Sequence, residues 1–341
     1  MTYLLDTKQR VLDYLIQSGH VVSSGDVSIE ELQGGVSNYA WCIHLHSGAA
    51  LVIKQAREKL AVKVDWFCSP ERVHREALGI RYLSSLLPNG VVPALLFEDQ
   101  ENHLLAMEAV PQPHENWKQV LLRGELHLPF MEDYARILST IHRESHQRRA
   151  ELEPLFSNQT FFENLRLEPY YLYTATQVPD ASSFLHSLIT ETRSSRLALV
   201  HGDYSPKNVL IYNQHLILLD HEVIHWGDPA FDVGFCLTHF LSKAHHLPAS
   251  RDQFIIAVER FCQYYFEEVR NNLPDPDYEN RTARHTLACM LARVAGRSPL
   301  EYLSHTEQQR QQQHITEMMH HPPASLFELV WEWKERIRQN A

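Results

Sequence analysis

The sequence predicts an α+β protein with strands gathered in its first third and helices filling most of the rest. Three observations support this. Short apolar runs separated by turn residues occupy 27–107. From about residue 112, apolar residues recur at the three-and-four spacing of helices. A tight hairpin, Val209-Tyr212 and Leu216-Leu219 about Asn213-Gln214, interrupts the helical part with polar residues on both flanks. At 341 residues the chain is long enough for two domains.

In chain order, Asp6-Thr7 followed by Val11, Leu12, Leu15 and Ile16 reads as an amphipathic helix over 6–18, stopped by Gly19. Val27-Leu32, Tyr39-His46 and Ala49-Gln55 read as strands, with Gly34-Gly35 in the first loop and Lys54 closing the third strand. Ser69 as N-cap and Pro70 in the first turn open a helix whose buried face carries Val73, Ala77, Ile80 and Leu87. Pro88-Asn89-Gly90 breaks it, and Ala94-Phe97 with His103-Met107 form a second hairpin. Helical spacing marks 131–145, 233–243, 254–271, 280–295 and 299–315, then a last helix with Leu326, Leu329, Val330, Trp333 and Ile337. The Gln-rich 308–313 reads as an exposed helix face. Phe161, Phe162, Tyr170, Tyr171 and Tyr173 read as core or as rings on which a cation can sit.

Composition narrows the function. Hydrophobic content of 44% and charged content of 21% are those of an ordinary globular protein. A net charge of −11 argues against a nucleic-acid partner and agrees with a cationic substrate. The five cysteines are scattered, odd in number and lack a C-x-x-C pair, so reduced thiols in a cytoplasmic setting are expected. No basic n-region followed by an apolar h-region opens the sequence and it contains no apolar run of about eighteen residues, so neither a targeting segment nor a membrane partner is expected.

The chemistry concentrates at Leu197 to Asp232. An apolar run ends at His201-Gly202-Asp203, a short loop carries Lys207 and Asn208, and the hairpin's second strand ends at Asp220-His221-Glu222. The hairpin predicts that Asp203, Asn208 and Asp220 converge. A desolvated carboxylate costs several kcal/mol unless it is paired or bound to metal, so buried strands ending this way point to function. Phosphoryl transfer uses such a set: a carboxylate for the attacking hydroxyl, and an amide oxygen and second carboxylate for Mg2+. The ordered set H-G-D-x4-N, hairpin, D-x-E, then Gly227-Asp228-Pro229 with Phe231-Asp232, resembles the aminoglycoside phosphotransferase and choline kinase superfamily.

That resemblance implies a bilobal, protein-kinase-like fold: a nucleotide-binding lobe over 1–107 and a helical catalytic and substrate lobe over 108–341. It implies an ATP-dependent kinase acting with Mg2+ on a hydroxyl of a small molecule such as an amino alcohol, sugar or aminoglycoside. Asp203 would be the base or orienting carboxylate. Asn208 and Asp220 would be metal ligands, and Lys207 would reach the transferring phosphate. Glu222 is a second ligand, as in methylthioribose kinases, or a surface group. Gly34-Gly35 covers the phosphates or is a plain hairpin turn. Lys54 would hold the α- and β-phosphates, paired with Glu76, for which Glu71 is the rival. The Glu108 carbonyl and Val110 N–H would read the adenine edge. His142 and Asp232 are expected to support the loop, and Asp228 the following turn. Arg293 and Arg297 reach the substrate or lie at the surface. Two alternatives remain: a metal-dependent hydrolase using His201, Asp203, Asp220, His221, His225 and Asp228, and a catalytically silent kinase-like module. Oligomeric state is not encoded in any motif.

Overall fold

The computed structural model describes residues 3–338 apart from 24, 26, 33, 34, 36 and 62–65. The chain divides into two compact units, Met1–His114 with Ile217–Glu222, and Glu115–Leu216 with Val223–Ala341. The first is sheet-rich and the second mainly helical, as the α+β reading expects.

The first unit opens with α1 (Lys8–Gln17), capped by the Thr7 hydroxyl, which accepts from the Arg10 N–H at 3.3 Å. Next come β1 (Val27–Glu31), β2 (Asn38–Leu45), β3 (Ala50–Ala56), α2 (Arg72–Leu86), β4 (Leu95–Asp99) and β5 (Leu104–Glu108). They form an antiparallel sheet in the order β1-β2-β3-β5-β4. Strand alternation sends Trp41, Ile43, Leu51 and Ile53 into one core with Val11 and Leu15 of α1. Lys54, one residue past Ile53, therefore faces the other side, where α2 supplies Glu76. Helix α2 begins at Arg72 rather than at the expected cap Ser69. The Ser69 hydroxyl accepts from the Glu71 N–H and its carbonyl from the Arg72 N–H, both at 3.3 Å, so Ser69 closes a separate turn.

The second unit begins with β6 (Glu115–Asn116), α3 (Trp117–Leu122), α4 (Leu128–Gln147), α5 (Arg149–Phe156) and the single turn α6 (Thr160–Phe162). Glu163–Leu172 then winds with π-helical spacing around Pro169, which has no N–H to give to the usual ladder. After α7 (Tyr173–Gln177) and α8 (Ser182–Ser194), β7 (Ala198–Val200) leads into β8 (Val209–Tyr212) and β9 (His215–Leu218). Asn213 and Gln214 both adopt positive φ, the conformation a two-residue hairpin turn needs. β10 (His225–Gly227) pairs antiparallel with β7, and α9 (Ala230–His246), α10 (Arg251–Val269), α11 (Tyr278–Ala295), α12 (His305–His320) and α13 (Leu326–Arg338) complete the chain.

Two expectations change here. The helix expected from 299 starts at His305, because Ser304 and Glu307 form a capping box while the Leu300 N–H folds back onto the Arg293 carbonyl at 2.8 Å. The Gln-rich face is not wholly exposed: Gln311 is buried and donates to the Met290 carbonyl at 2.8 Å. Among the described residues no helix is long and apolar enough to cross a membrane.

Asp228, just after β10, is buried against α11. Arg281 clamps it with bonds of 2.6 and 3.0 Å, and the Ala230 N–H reaches Oδ1 at 3.1 Å. Burial pushes this carboxyl up, but hydrogen bonds from His285 and Arg281 outweigh it and hold it well below the usual range. A depressed carboxyl stabilises the fold above its unfolded pKa and loses that contribution as the pH falls. Asp228→Asn is therefore expected to destabilise the protein by about 2 kcal/mol near neutrality, since Arg281 loses its buried charge-assisted bonds and keeps only Asp275 at 2.6 Å. Urea midpoints should show a steady gap from wild type down to about pH 5 that narrows below about pH 4.

Candidate active site

In the second unit the site is built on the loop after β7. The chain turns at Gly202 with φ +77°, where a Cβ would lie 2.9 Å from Val223 Cγ2 and 3.1 Å from the Val223 carbonyl. Glycine is needed there on both counts. Asp232, in the first turn of α9, fastens the loop. Its two oxygens accept from the His201 and Gly202 N–H groups at 2.6 and 2.7 Å, and His142 Nε2 lies 3.2 Å from one of them. His142 in turn contacts the Tyr265 hydroxyl at 2.6 Å.

Asp203 is 3% exposed. Its carboxylate meets Arg166 Nη2 at 2.9 Å, Lys207 Nζ at 2.9 Å and Asn208 Nδ2 at 2.7 Å. Burial pushes this carboxyl up, but the charges of Arg166 and Lys207 outweigh it and hold it well below the usual carboxylate range. So strongly held an anion is a weak base and a good hydrogen-bond acceptor. It is suited to orient a hydroxyl and to take its proton only late. Lys207, which the resemblance places within reach of the transferring phosphate, rests on Asp203 here, while the Asn208 amide nitrogen also holds the Asp203 carbonyl at 3.0 Å.

The first unit carries a second charged cluster. Lys54 Nζ lies 2.6 Å from Glu76 Oε1 and 3.6 Å from Asp220 Oδ1, so Glu76 rather than Glu71 is its partner. Burial pulls the Lys54 ammonium down, but Glu76 and Asp220 more than reverse this and keep it charged. Asp220 sits in the left-handed region at φ +68°. Glu222 is buried, which corrects the surface alternative. Its Oε2 is 3.1 Å from Arg72 Nε and 3.4 Å from Asn38 Nδ2. Arg72 also holds the carbonyls of Ser37, Arg57, Cys68 and Ser69, tying the loop before β2 to the start of α2.

Glu76, half-buried Asp220 and Glu222 thus face the cations Lys54 and Arg72, three carboxylates against two cations, and burial with the charges of Asp220 and Glu222 pushes the Glu76 carboxyl up. Among the described residues Glu76 Oε2 and Asp220 Oδ1 have no hydrogen-bond donor, the Lys54 ammonium standing 3.6 Å from the latter. That surplus and those bare oxygens fit a divalent cation. Among the described residues no group of three or more His, Cys, Asp or Glu is placed to hold a metal alone. Mg2+ characteristically takes only one or two carboxylates and completes its shell with phosphate and water. The hydrolase alternative lacks its ligand set: His201 Nδ1 accepts the Asp203 N–H at 3.2 Å, His225 Nδ1 lies 2.9 Å from the Val223 carbonyl, and Asp228 belongs to Arg281.

The other expected positions are placed as follows. Gly34 lies outside the described residues. Gly35 is exposed, and a Cβ there would meet only the Asn38 carbonyl at 4.0 Å, an ordinary contact. Glu108 ends β5 with its N–H on the Ala94 carbonyl at 2.9 Å, and the Ala109 N–H bonds the Ala50 carbonyl at 3.1 Å, so strand pairing stops just before half-buried Val110. Arg293 is buried on the Tyr170 hydroxyl and Ser298, whereas Arg297 pairs with Glu168 at 2.9 Å. Arg166 and Arg72 were missed. Arg72 precedes Glu76 by one helical turn, a spacing that puts both on one face. Nothing local marks Arg166.

The fold is shared by a macrolide 2'-phosphotransferase from Brachybacterium faecium (17% identity, TM-score 0.52, 92% of this chain and 98% of that one). It is likewise shared by a choline kinase from Cryptosporidium parvum (12%, 0.52, 98% and 97%) and by the amicoumacin kinase hAmiN (14%, 0.53, 95% and 99%). A comparison with curated proteins found no match. Residues 28–270 match the phosphotransferase enzyme family, and the chain belongs to that family.

Proposed function

We propose that this phosphotransferase moves the γ-phosphoryl group of ATP, with Mg2+, to a hydroxyl of a small molecule. The observation that carries this reading is the surplus of carboxylate at Glu76, Asp220 and Glu222 over Lys54 and Arg72. A nucleotide's phosphates would neutralise Lys54, and a divalent cation the bare Asp220 oxygen. The amicoumacin kinase of the same fold was solved with AMP-PNP and Ca2+, which supports a nucleotide and a divalent ion.

The roles follow the local chemistry. Lys54, fixed by Glu76, holds phosphate oxygens, with Gly34 and Gly35 covering them and the Glu108 carbonyl and Val110 N–H reading the base. Asp220 and Asn208 are the proposed Mg2+ ligands, with Glu222 held beside Asp220 by Arg72. When bound, Mg2+ neutralises charge on the transferring group. Asp203 accepts the hydrogen bond of the attacking hydroxyl and receives its proton. Lys207, paired with Asp203 at 2.9 Å and with its side chain 42% exposed, is the proposed partner of the transferring phosphate. The division at 107/108 into a nucleotide lobe and a catalytic and substrate lobe is part of this proposal. So is a cytoplasmic setting, which suits the five free cysteines.

The test is ATP consumption with sugars, amino alcohols, aminoglycosides and hydroxy acids as acceptors, with Asp203→Ala as control. Acceptor-dependent ADP release that the control lacks is expected. Failure of the wild-type protein to bind Mg·ATP in calorimetry would overturn the proposal.

A further inference from the structure

The second unit holds a group of cations that the transfer step does not use. Lys243 is fully buried, yet among the described residues its ammonium has only the His239 carbonyl at 3.2 Å and the face of Tyr302 at 5.2 Å. Arg293, 7% exposed, bonds the Tyr170 hydroxyl at 3.0 Å and Ser298, and its Nε has no hydrogen-bond partner among the described residues. Among the described residues neither Arg293 nor Lys243 has a carboxylate within ion-pair distance. A buried, unpaired cation costs several kcal/mol, and burial with the charges of Lys118 and Arg293 pulls the Lys243 ammonium down to about 7, so an anion beside the two groups would be needed to hold both charged.

These groups adjoin the Asp203 loop. Arg166, on the Asp203 carboxylate, lies 5.7 Å from the rings of both Tyr170 and Phe235. Arg293 stands 5.6 Å from the same Tyr170 ring, and Phe235 contacts His239 at 5.2 Å. Phe235, His239, Ser242 and Lys243 share one face of α9 by helical spacing. Among the described residues His239 Nε2 and Ser242 Oγ are buried without hydrogen-bond partners. His239 is held neutral first by burial and then by the charges of Arg293, Lys243, Lys207 and Lys118. The positive field is local, in a chain whose net charge is −11. A cationic acceptor of the choline kind would add charge of the wrong sign.

We infer that the hydroxyl acceptor carries an anionic group, a carboxylate or a phosphate, received by Arg293 and Lys243 with His239 Nε2 and Ser242 Oγ as polar lining. This rests on the phosphotransferase reading and names the acceptor class for it.

The test uses full-length protein and acceptors that differ in charge: glycerol, 3-amino-1,2-propanediol, glycerate and glycerol 3-phosphate. Calorimetry and ATP consumption are both read. Glycerate or glycerol 3-phosphate should bind at least about tenfold tighter than glycerol, and whichever is preferred separates carboxylate from phosphate. Arg293→Gln and Lys243→Met should each remove most of that preference while leaving the affinity for Mg·ATP unchanged. Lys243→Met should unfold at the same or a higher temperature, because an apolar isostere replaces an uncompensated charge. An intact fold with intact anion preference in Lys243→Met would overturn the inference. So would equal binding of the neutral and anionic compounds by wild type, or binding of none. Anion binding without any binding of Mg·ATP would instead sink the kinase reading and leave the anion site standing.

Discussion

Asp203→Asn is expected to lower turnover by about a hundred- to ten-thousand-fold, the usual contribution of a positioned proton acceptor, while the affinity for Mg·ATP stays within about threefold. The reason lies in what holds the carboxylate. Arg166 and Lys207 keep it ionised and Asn208 fixes its orientation. An amide of the same shape offers the hydroxyl a weaker acceptor and has no charge with which to take the proton. The substitution also leaves Arg166 buried beside a neutral group, so a stability cost of about 3 kcal/mol should accompany it. Lys207→Met should cost under about 1 kcal/mol, because an exposed ammonium is screened by water. Single-turnover transfer and nucleotide titration on the folded variant separate chemistry from binding. Turnover within a factor of ten of wild type would remove Asp203 from the assigned role.

The parts legible in the sequence were those encoded by short spacings. H-G-D-x4-N, the Asn213-Gln214 turn and D-x-E each lie within a dozen residues, and local backbone geometry alone places their members. Lys54 with Glu76 was legible because a strand end and one face of an amphipathic helix each have a period. Arg166 was not, because it lies far upstream in a π-helical stretch around Pro169 whose spacing matches neither regular period. Arg72 shares the face of Glu76, but a charged residue on a helix reads as solvated unless its distant partner Glu222 is known. The start of α12 is written in Ser304-x-x-Glu307, a short signature that helical spacing running from 299 obscures. The reciprocal cap bonds decide for Ser304. Burial of Gln311 depends on a carbonyl of α11, which no local pattern reports.

Asp220→Asn is expected to raise the Mg2+ concentration needed for half-maximal activity by about a hundred- to a thousandfold, since a charged oxygen ligand is worth several kcal/mol at a metal. Asparagine is the right probe because the residue sits at φ +68°, a region that Asn tolerates and Ala resists. The change therefore removes charge without disturbing the backbone. It also evens the local balance, leaving Glu76 and Glu222 against Lys54 and Arg72, so the nucleotide-free protein should be as stable as wild type or more so. That pairing of effects separates a metal ligand from a structural carboxylate. Were Asp220 merely the second partner of Lys54 at 3.6 Å, its loss would lower stability and leave Mg2+ dependence alone. Mg2+ titrations of ATP turnover, read beside urea midpoints for the apo protein, decide between the two: an unchanged Mg2+ requirement with a lowered midpoint would strip Asp220 of its place at the metal.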